Sequence, residues 1–180
     1  MTTVGKSLRA LVSEKIVQLN KKFFISLSVI SICFILDRLS KIYIINFFIN
    51  NPVQDYFVNS YTNFVLIWNK GIAFGLFQSE SFFHHLVSFI IFCIILLIIY
   101  IVIKSNKFFE IFCYSMIIGG ALGNFFDRLY YNAVPDFIDL HYDNFHWFTF
   151  NVSDICITIA IVLLLSVDLI KIKKKENIDE

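Results

Sequence analysis

The sequence is short of charge, of proline and of paired cysteine. Only 16% of its 180 residues are charged and the formal net charge is +1, so the balance of signs says little about partners, and no basic patch points to nucleic acid. The cysteines, Cys33, Cys93, Cys113 and Cys156, form no C-x-x-C and all fall in apolar surroundings, which excludes a disulfide framework and a cysteine zinc site and leaves them as small buried groups. His84 and His85 are adjacent in sequence and His141 and His146 stand in another polar segment, so a metal site would need all of them to converge in the fold, and no metal or other cofactor is expected. The two prolines, Pro52 and Pro135, lie outside the long apolar runs. No internal repeat or low-complexity segment is present.

What is abundant is apolar surface. Apolar residues make up 58% of the chain, 22 of them phenylalanine, and mean hydropathy is +0.73. These values exceed those of ordinary soluble domains and indicate a membrane protein, of a length that suits one domain. Four apolar stretches, about 23–43, 85–103, 108–126 and 148–170, are each long enough to cross a hydrocarbon core of roughly 30 Å. The basic residues orient them. Lys6, Arg9, Lys15, Lys21 and Lys22 precede the first stretch, Lys104 and Lys107 join the second to the third, and Lys171, Lys173, Lys174 and Lys175 follow the fourth. Only Arg38, Lys41, Lys70 and Arg128 lie on the other side, so the positive-inside rule predicts both termini in the cytoplasm.

The expected fold class is therefore membrane all-α, with four transmembrane helices and a small β-rich element on the outer face. Residues 1–22 form a cytoplasmic N-terminal extension, 23–170 the four-helix domain and 171–180 a charged tail. In the extension Val4, Leu8, Leu11, Val12, Ile16 and Leu19 recur at helical spacing, as in an amphipathic surface segment, although a loosely ordered arm also fits. The first apolar run ends in Asp37-Arg38 with no small-residue cleavage site, so it stays attached as a helix. Outside, 63–68 reads as a strand, and Ile138, Leu140 and Tyr142 alternate with polar residues before an Asp143-Asn144 turn.

Polar residues interrupt the apolar stretches at one depth. Asp37 is 15 residues past Lys22, Asn124 is 17 past Lys107, and Asp154 is 17 before Lys171. At 1.5 Å per residue the rises are all roughly 22–26 Å, which places the three groups in one layer just below the outer interface. Polar groups there face the bundle interior or a water-filled cavity. Arg38 and Lys41 can pair with Asp37 and reach toward the headgroups, which gives Asp37 and Lys41 a structural reading. Asp154 has no cation within four residues and needs another partner. Asp136 is a candidate, since two carboxylates held together share a proton and can hydrolyse a peptide as acid and base. Asp127, Asp139 and Asp143 are equally near in sequence, and Asp127 could simply pair with Arg128.

Five local patterns sharpen this reading. They are Asp37-Arg38-Leu39-Ser40-Lys41, Asn69-Lys70-Gly71-Ile72-Ala73-Phe74-Gly75, the run from Gly119-Gly120-Ala121-Leu122-Gly123-Asn124 through Asp127-Arg128, Asp136-Phe137-Ile138, and Phe150-Asn151-Val152-Ser153-Asp154. In that order they resemble the motifs D-x-x-[ST]-K, N-x-G-x-A-F-[GS], G-G-A-x-G-N-x-x-D-R, V-x-D-F-I and F-N-x-A-D of the lipoprotein signal peptidases, the signal peptidase II family. The likeness covers about 23–170; Ser153 stands where the family usually has alanine, Pro135 precedes Asp136, and the extension matches no motif. The resemblance implies an aspartic endopeptidase of the bacterial inner membrane. It would cleave diacylglyceryl-modified prolipoproteins just before the lipidated cysteine, without a cofactor, among membrane lipids, and be open to the cyclic-peptide inhibitors of the family. Carried over by position, Asp136 and Asp154 match the catalytic dyad, Asn124, Arg128 and Asn151 line the site, and Asn69 contributes to substrate binding. Gly119, Gly120 and Gly123 read as close helix packing. A non-enzymatic four-helix scaffold is the rival reading; a quinone-linked thiol oxidoreductase would need cysteines in the outer loops, and the chain has none there.

Overall fold

The computed structural model describes the backbone of residues 3–71, 81–143 and 145–179, with the side chains of 3–12, 14–16, 81–84, 172 and 175–179 left aside. Helix α1 spans Thr3–Asn50 and is followed by strands β1 (Asp55–Asn59) and β2 (Thr62–Asn69). Helices α2 (Ser81–Lys104) and α3 (Phe108–Tyr131) form a hairpin; β3 (Val134–Tyr142), β4 (Phe145–Phe150) and α4 (Val152–Asp179) complete the chain. Four segments, Val17–Asn50, His85–Lys104, Phe108–Tyr131 and Val152–Lys171, are long and apolar enough to cross a membrane. Their outward side chains are large and apolar, as with Ile42, Leu97 and Leu165, each half or more exposed, whereas several of the most deeply buried groups are polar. That inversion suits a lipid solvent.

Helix α1 runs unbroken from Thr3 to Asn50, through the residues read above as an N-terminal extension. Residues 148–150, counted above in the fourth apolar stretch, belong to β4, and the helix begins only at Val152. Their apolar character serves a sheet and the site beneath it.

Helix α3 packs against each of the other three helices, and its glycines explain how. A Cβ on Gly119 would lie 2.8 Å from the Ile30 carbonyl oxygen of α1, and one on Gly120 would lie 2.6 Å from the Ser153 carbonyl oxygen of α4. Adjacent glycines thus admit two different helices to near backbone contact. At the opposite end from the sheet, Lys22 Nζ donates to Ser105 O at 2.8 Å and to Asn106 Oδ1 at 2.6 Å, tying the middle of α1 to the α2–α3 turn.

Helix α3 stops at Asn132, whose φ of 55° is a left-handed C-cap, and the chain turns directly into β3. The sheet is antiparallel in the order β1-β2-β3-β4. Its registers slip once in each strand pair, and two of these slips adjoin β3. Phe64 pairs with Ile138 but Ile67 with Asp136, so β2 carries one extra residue, Val65 and Leu66 standing against Phe137 alone. Leu140 pairs with Phe148 but His141 with His146, so Trp147 is the extra residue of β4. Each bulge changes which side chains share a face with β3.

Candidate active site

The first bulge decides what faces Asp136. In an unbroken register Trp68 would follow on the Asp136 side of the sheet; with the extra residue, Asn69 takes that place. Asn69 Nδ2 donates to Asp136 Oδ2 at 2.9 Å, while its own Oδ1 accepts from Gly71 N–H at 3.0 Å. The remainder of that loop motif, Ile72 to Gly75, lies outside the described residues. Pro135 and Asp136 are both buried at the start of β3, where the proline holds Val134 extended.

Asp154 is positioned by the start of α4. Asn151 is the residue before the helix; its Oδ1 accepts from Asp154 N–H at 3.2 Å, and Asp154 Oδ2 accepts from Asn151 N–H at 3.1 Å. This reciprocal pair is a capping box built from Asn and Asp, and it places the carboxylate at the positive end of the helix. Asn151 Nδ2 also donates to Asp136 Oδ1 at 2.6 Å, so a single buried asparagine is bonded to both carboxylates. The second Asp154 oxygen accepts from Asn124 Nδ2 of α3 at 2.8 Å. All these donors are neutral amides, so hydrogen bonding orients the two aspartates without neutralising them. Burial is the chief cause that raises the Asp136 carboxyl to about 6, with the Asp154 charge adding to it and the Asn69 and Asn151 amides opposing.

Arg128 donates to Asn124 O at 3.2 Å and lines the same cavity as the aspartates. That cavity has a volume of about 520 Å³ and combines Asn69, Asn124, Arg128, Asp136 and Asp154 with an apolar wall of Phe148, Phe150, Ile155 and Ile159. The wall comes from β4 and the first turns of α4. A peptide bond can meet the carboxylates while apolar groups lie against the wall.

Beside the site sits a separate ionic cluster. Arg38 grips Asp127 through both guanidinium nitrogens, NH1 to Oδ1 at 2.5 Å and NH2 to Oδ2 at 2.7 Å, and reaches Asp37 at 2.8 Å. Lys41 Nζ lies 2.9 Å from Asp37, 2.7 Å from Asp127 Oδ2 and 2.8 Å from Asn124 Oδ1. Two expectations are corrected here. Asp127 gives its carboxylate to Arg38 and Lys41 rather than simply to Arg128, and Lys41, 1% exposed, turns inward instead of reaching for the headgroups. The signal was present in the sequence: Asp37, Arg38 and Lys41 leave one cation over, and a buried cation requires an acid from another helix. The shared layer of Asp37, Asn124 and Asp154 is realised as a chain of hydrogen bonds through Lys41. Of the other acidic candidates, Asp139 is buried and bonded to His146, and Asp143 is exposed in the turn with φ 53°.

The comparisons agree with this architecture. The family model described as Signal peptidase (SPase) II matches residues 29–170. A lipoprotein signal peptidase of Pelagibacter ubique (strain HTCC1062) is 44% identical over 158 residues, covering 87% of this chain and 95% of the relative. One of Anaplasma phagocytophilum (strain HZ) is 37% identical, covering 84% and 96%. A bacterial membrane enzyme solved by the in meso method superposes with a TM-score of 0.65 at 25% identity, over 87% of this chain and 92% of that one.

Proposed function

This chain belongs to the signal peptidase II family, membrane endopeptidases that remove signal peptides from prolipoproteins, and we propose that Asp136 and Asp154 are its catalytic dyad. The observation that carries the assignment is Asn151, which hydrogen-bonds both carboxylates and leaves both facing one cavity. A water between them loses a proton to the ionised aspartate and attacks the scissile carbonyl, which the protonated aspartate polarises. The proton then passes to the leaving amine, and the dyad returns to its singly protonated form.

The remaining polar groups position these atoms. Asn69, Asn124 and Asn151 hold the carboxylates in place, and Arg128 offers a guanidinium fork to a substrate carbonyl at the cavity edge. The substrate is a prolipoprotein bearing diacylglycerol on cysteine, cut just before that cysteine. Its scissile bond reaches the polar layer because the acyl chains occupy the outer leaflet and the signal helix lies below. The site opens on the outer face of the inner membrane, with both chain termini in the cytoplasm, and a cyclic peptide that presents a hydroxyl to the two carboxylates would block it.

The test uses purified protein and a lipidated prolipoprotein. Asp136→Asn and Asp154→Asn, each shown to be folded and membrane-inserted, should lose nearly all cleavage. Near-normal processing by either variant would remove the dyad.

A further inference from the structure

The opposite face of β3 carries a second cluster of ligating groups. Asp139 and His141 point to the side away from Asp136, because side chains alternate along a strand. Without the bulge at Trp147, the residue of β4 across from His141 would be Trp147; the extra residue puts His146 there instead. One carboxylate and two imidazoles are thereby gathered, with one ligating atom from each lying within 4.8 Å of the others.

The orientation of the nitrogens is what distinguishes this cluster from an ordinary His–Asp hydrogen bond. His146 Nδ1 is 2.7 Å and His141 Nδ1 3.7 Å from the same atom, Asp139 Oδ2, and the two rings stack with centroids 5.3 Å apart. A tetrahedral metal with N and O ligands at about 2.0–2.2 Å sets those ligands about 3.4 Å apart. The observed separations straddle that value. The His141 side chain is only 9% exposed, and its Nδ1 has no hydrogen-bond partner among the described residues. Asn63, paired with Asp139 across the β2–β3 ladder and therefore on the same face, also buries an Oδ1 without a donor among the described residues. Buried polar atoms left unpaired carry a desolvation cost, and a cation bound at an unprotonated His141 Nδ1 would remove it there.

We propose that Asp139, His141 and His146 form a binding site for a divalent cation of the zinc class, separate from the peptidase site and joining β3 to β4. Two imidazoles and one carboxylate suit zinc rather than calcium or magnesium, which prefer oxygen ligands throughout. The role is structural. The β3–β4 hairpin carries Asp136 near its start and leads through Phe150 to Asn151, so a metal clamp across it would stiffen the connection between the two aspartates without entering the chemistry.

The experiment uses the full-length protein in detergent, purified with a tag other than polyhistidine, stripped with EDTA and titrated with zinc chloride by calorimetry. Saturable binding of one zinc per chain is expected, with a zinc-dependent rise in melting temperature and slower amide exchange confined to β3 and β4. His146→Ala should weaken binding by at least about 100-fold, beyond what loss of an outer-shell partner usually costs. Its side chain is 58% exposed, so the variant should fold even if His141→Ala does not. Asp143→Asn, in the same hairpin but outside the cluster, should bind zinc as the parent does, and EDTA should leave prolipoprotein cleavage intact. The site is refuted if zinc fails to bind saturably, or if His146→Ala binds it as tightly as the parent. Loss of cleavage on chelation, restored by zinc, would overturn the separation from the chemistry.

Discussion

Lys41 Nζ lies 2.8 Å from Asn124 Oδ1, and this contact joins the ionic cluster of α1 and α3 to the aspartate of α4. Asn124 can present its amide nitrogen to Asp154 because its oxygen is already held by a cation. The cluster itself is balanced, with Arg38 and Lys41 against Asp37 and Asp127, and all but Arg38 are almost wholly buried.

Removing one acid from this cluster should cost stability before activity. Asp127→Asn leaves two buried cations facing one carboxylate, a change of about 3–5 kcal/mol for pairs of this type. Asp37→Asn should behave similarly, since it also weakens the acceptor for Ser153 N–H at 3.0 Å. In both, Lys41 keeps one carboxylate and Asn124, so cleavage per folded molecule should stay close to the parent. Lys41→Met should lose stability and also about tenfold in turnover, near 1.4 kcal/mol, through the freed Asn124. Melting curves paired with activity per folded molecule separate the two effects, and equal activity losses in all three variants would count against the division.

The dyad predicts strong non-additivity. In the proposed dyad both aspartates act on the same proton transfers, so the Asp136→Asn/Asp154→Asn double variant should be scarcely slower than either single one, each down by about 10³-fold or more. Asn151→Ala and Asn124→Ala, which only position the carboxylates, should retain measurable cleavage. Single-turnover assays would expose a multiplicative loss if the aspartates acted independently.

Stability should also carry the mark of Asp136. Its folded carboxyl is raised from 3.8 to about 6, so between those values the folded chain holds more proton than the unfolded chain. The sign follows: this group's contribution is most favourable below about pH 4, is lost as pH rises through about 6, and is constant above. Asp136→Asn should therefore be more stable than the parent near neutral pH, by at most about 3 kcal/mol for a shift of about two units, and should lose that advantage near pH 4. Parallel melts across this range provide the check. A variant less stable than the parent at neutral pH would mean that the lost Asn69 and Asn151 hydrogen bonds outweigh the relieved burial.

Gly120→Ala should loosen the bundle. The new methyl would meet the Ser153 carbonyl oxygen at 2.6 Å, and backbone cannot swing aside as a side chain can, so about 1–3 kcal/mol is expected. Because Ser153 adjoins Asp154, turnover should fall as well. A melting temperature equal to the parent's would argue against the close α3–α4 approach.

Topology is open to direct test. In a background without native cysteines, Asp143→Cys should react with an impermeant thiol reagent in intact cells, and Ser105→Cys should react only after lysis. Labelling of residue 105 from outside would reverse the proposed orientation.

The four apolar spans were legible in the sequence because they depend on local quantities, apolar length and helical rise, and the proposed orientation rests likewise on the placement of lysines. The choice of Asp136 and Asp154 as the proposed dyad came from the resemblance of the ordered motifs, since spacing alone left Asp127, Asp139 and Asp143 as equals. Only the tertiary structure separated those aspartates, sending Asp127 to Arg38 and Lys41, Asp139 to the histidines and Asp143 to the exposed turn. The bulges lay beyond sequence reading for the same reason. One extra residue in β2 presents Asn69 rather than Trp68 to the Asp136 face, and one in β4 presents His146 rather than Trp147 to His141. A strand's alternation can be read along the chain, but its register is set by pairing with a partner strand, and a slip of one residue turns every later side chain to the other face.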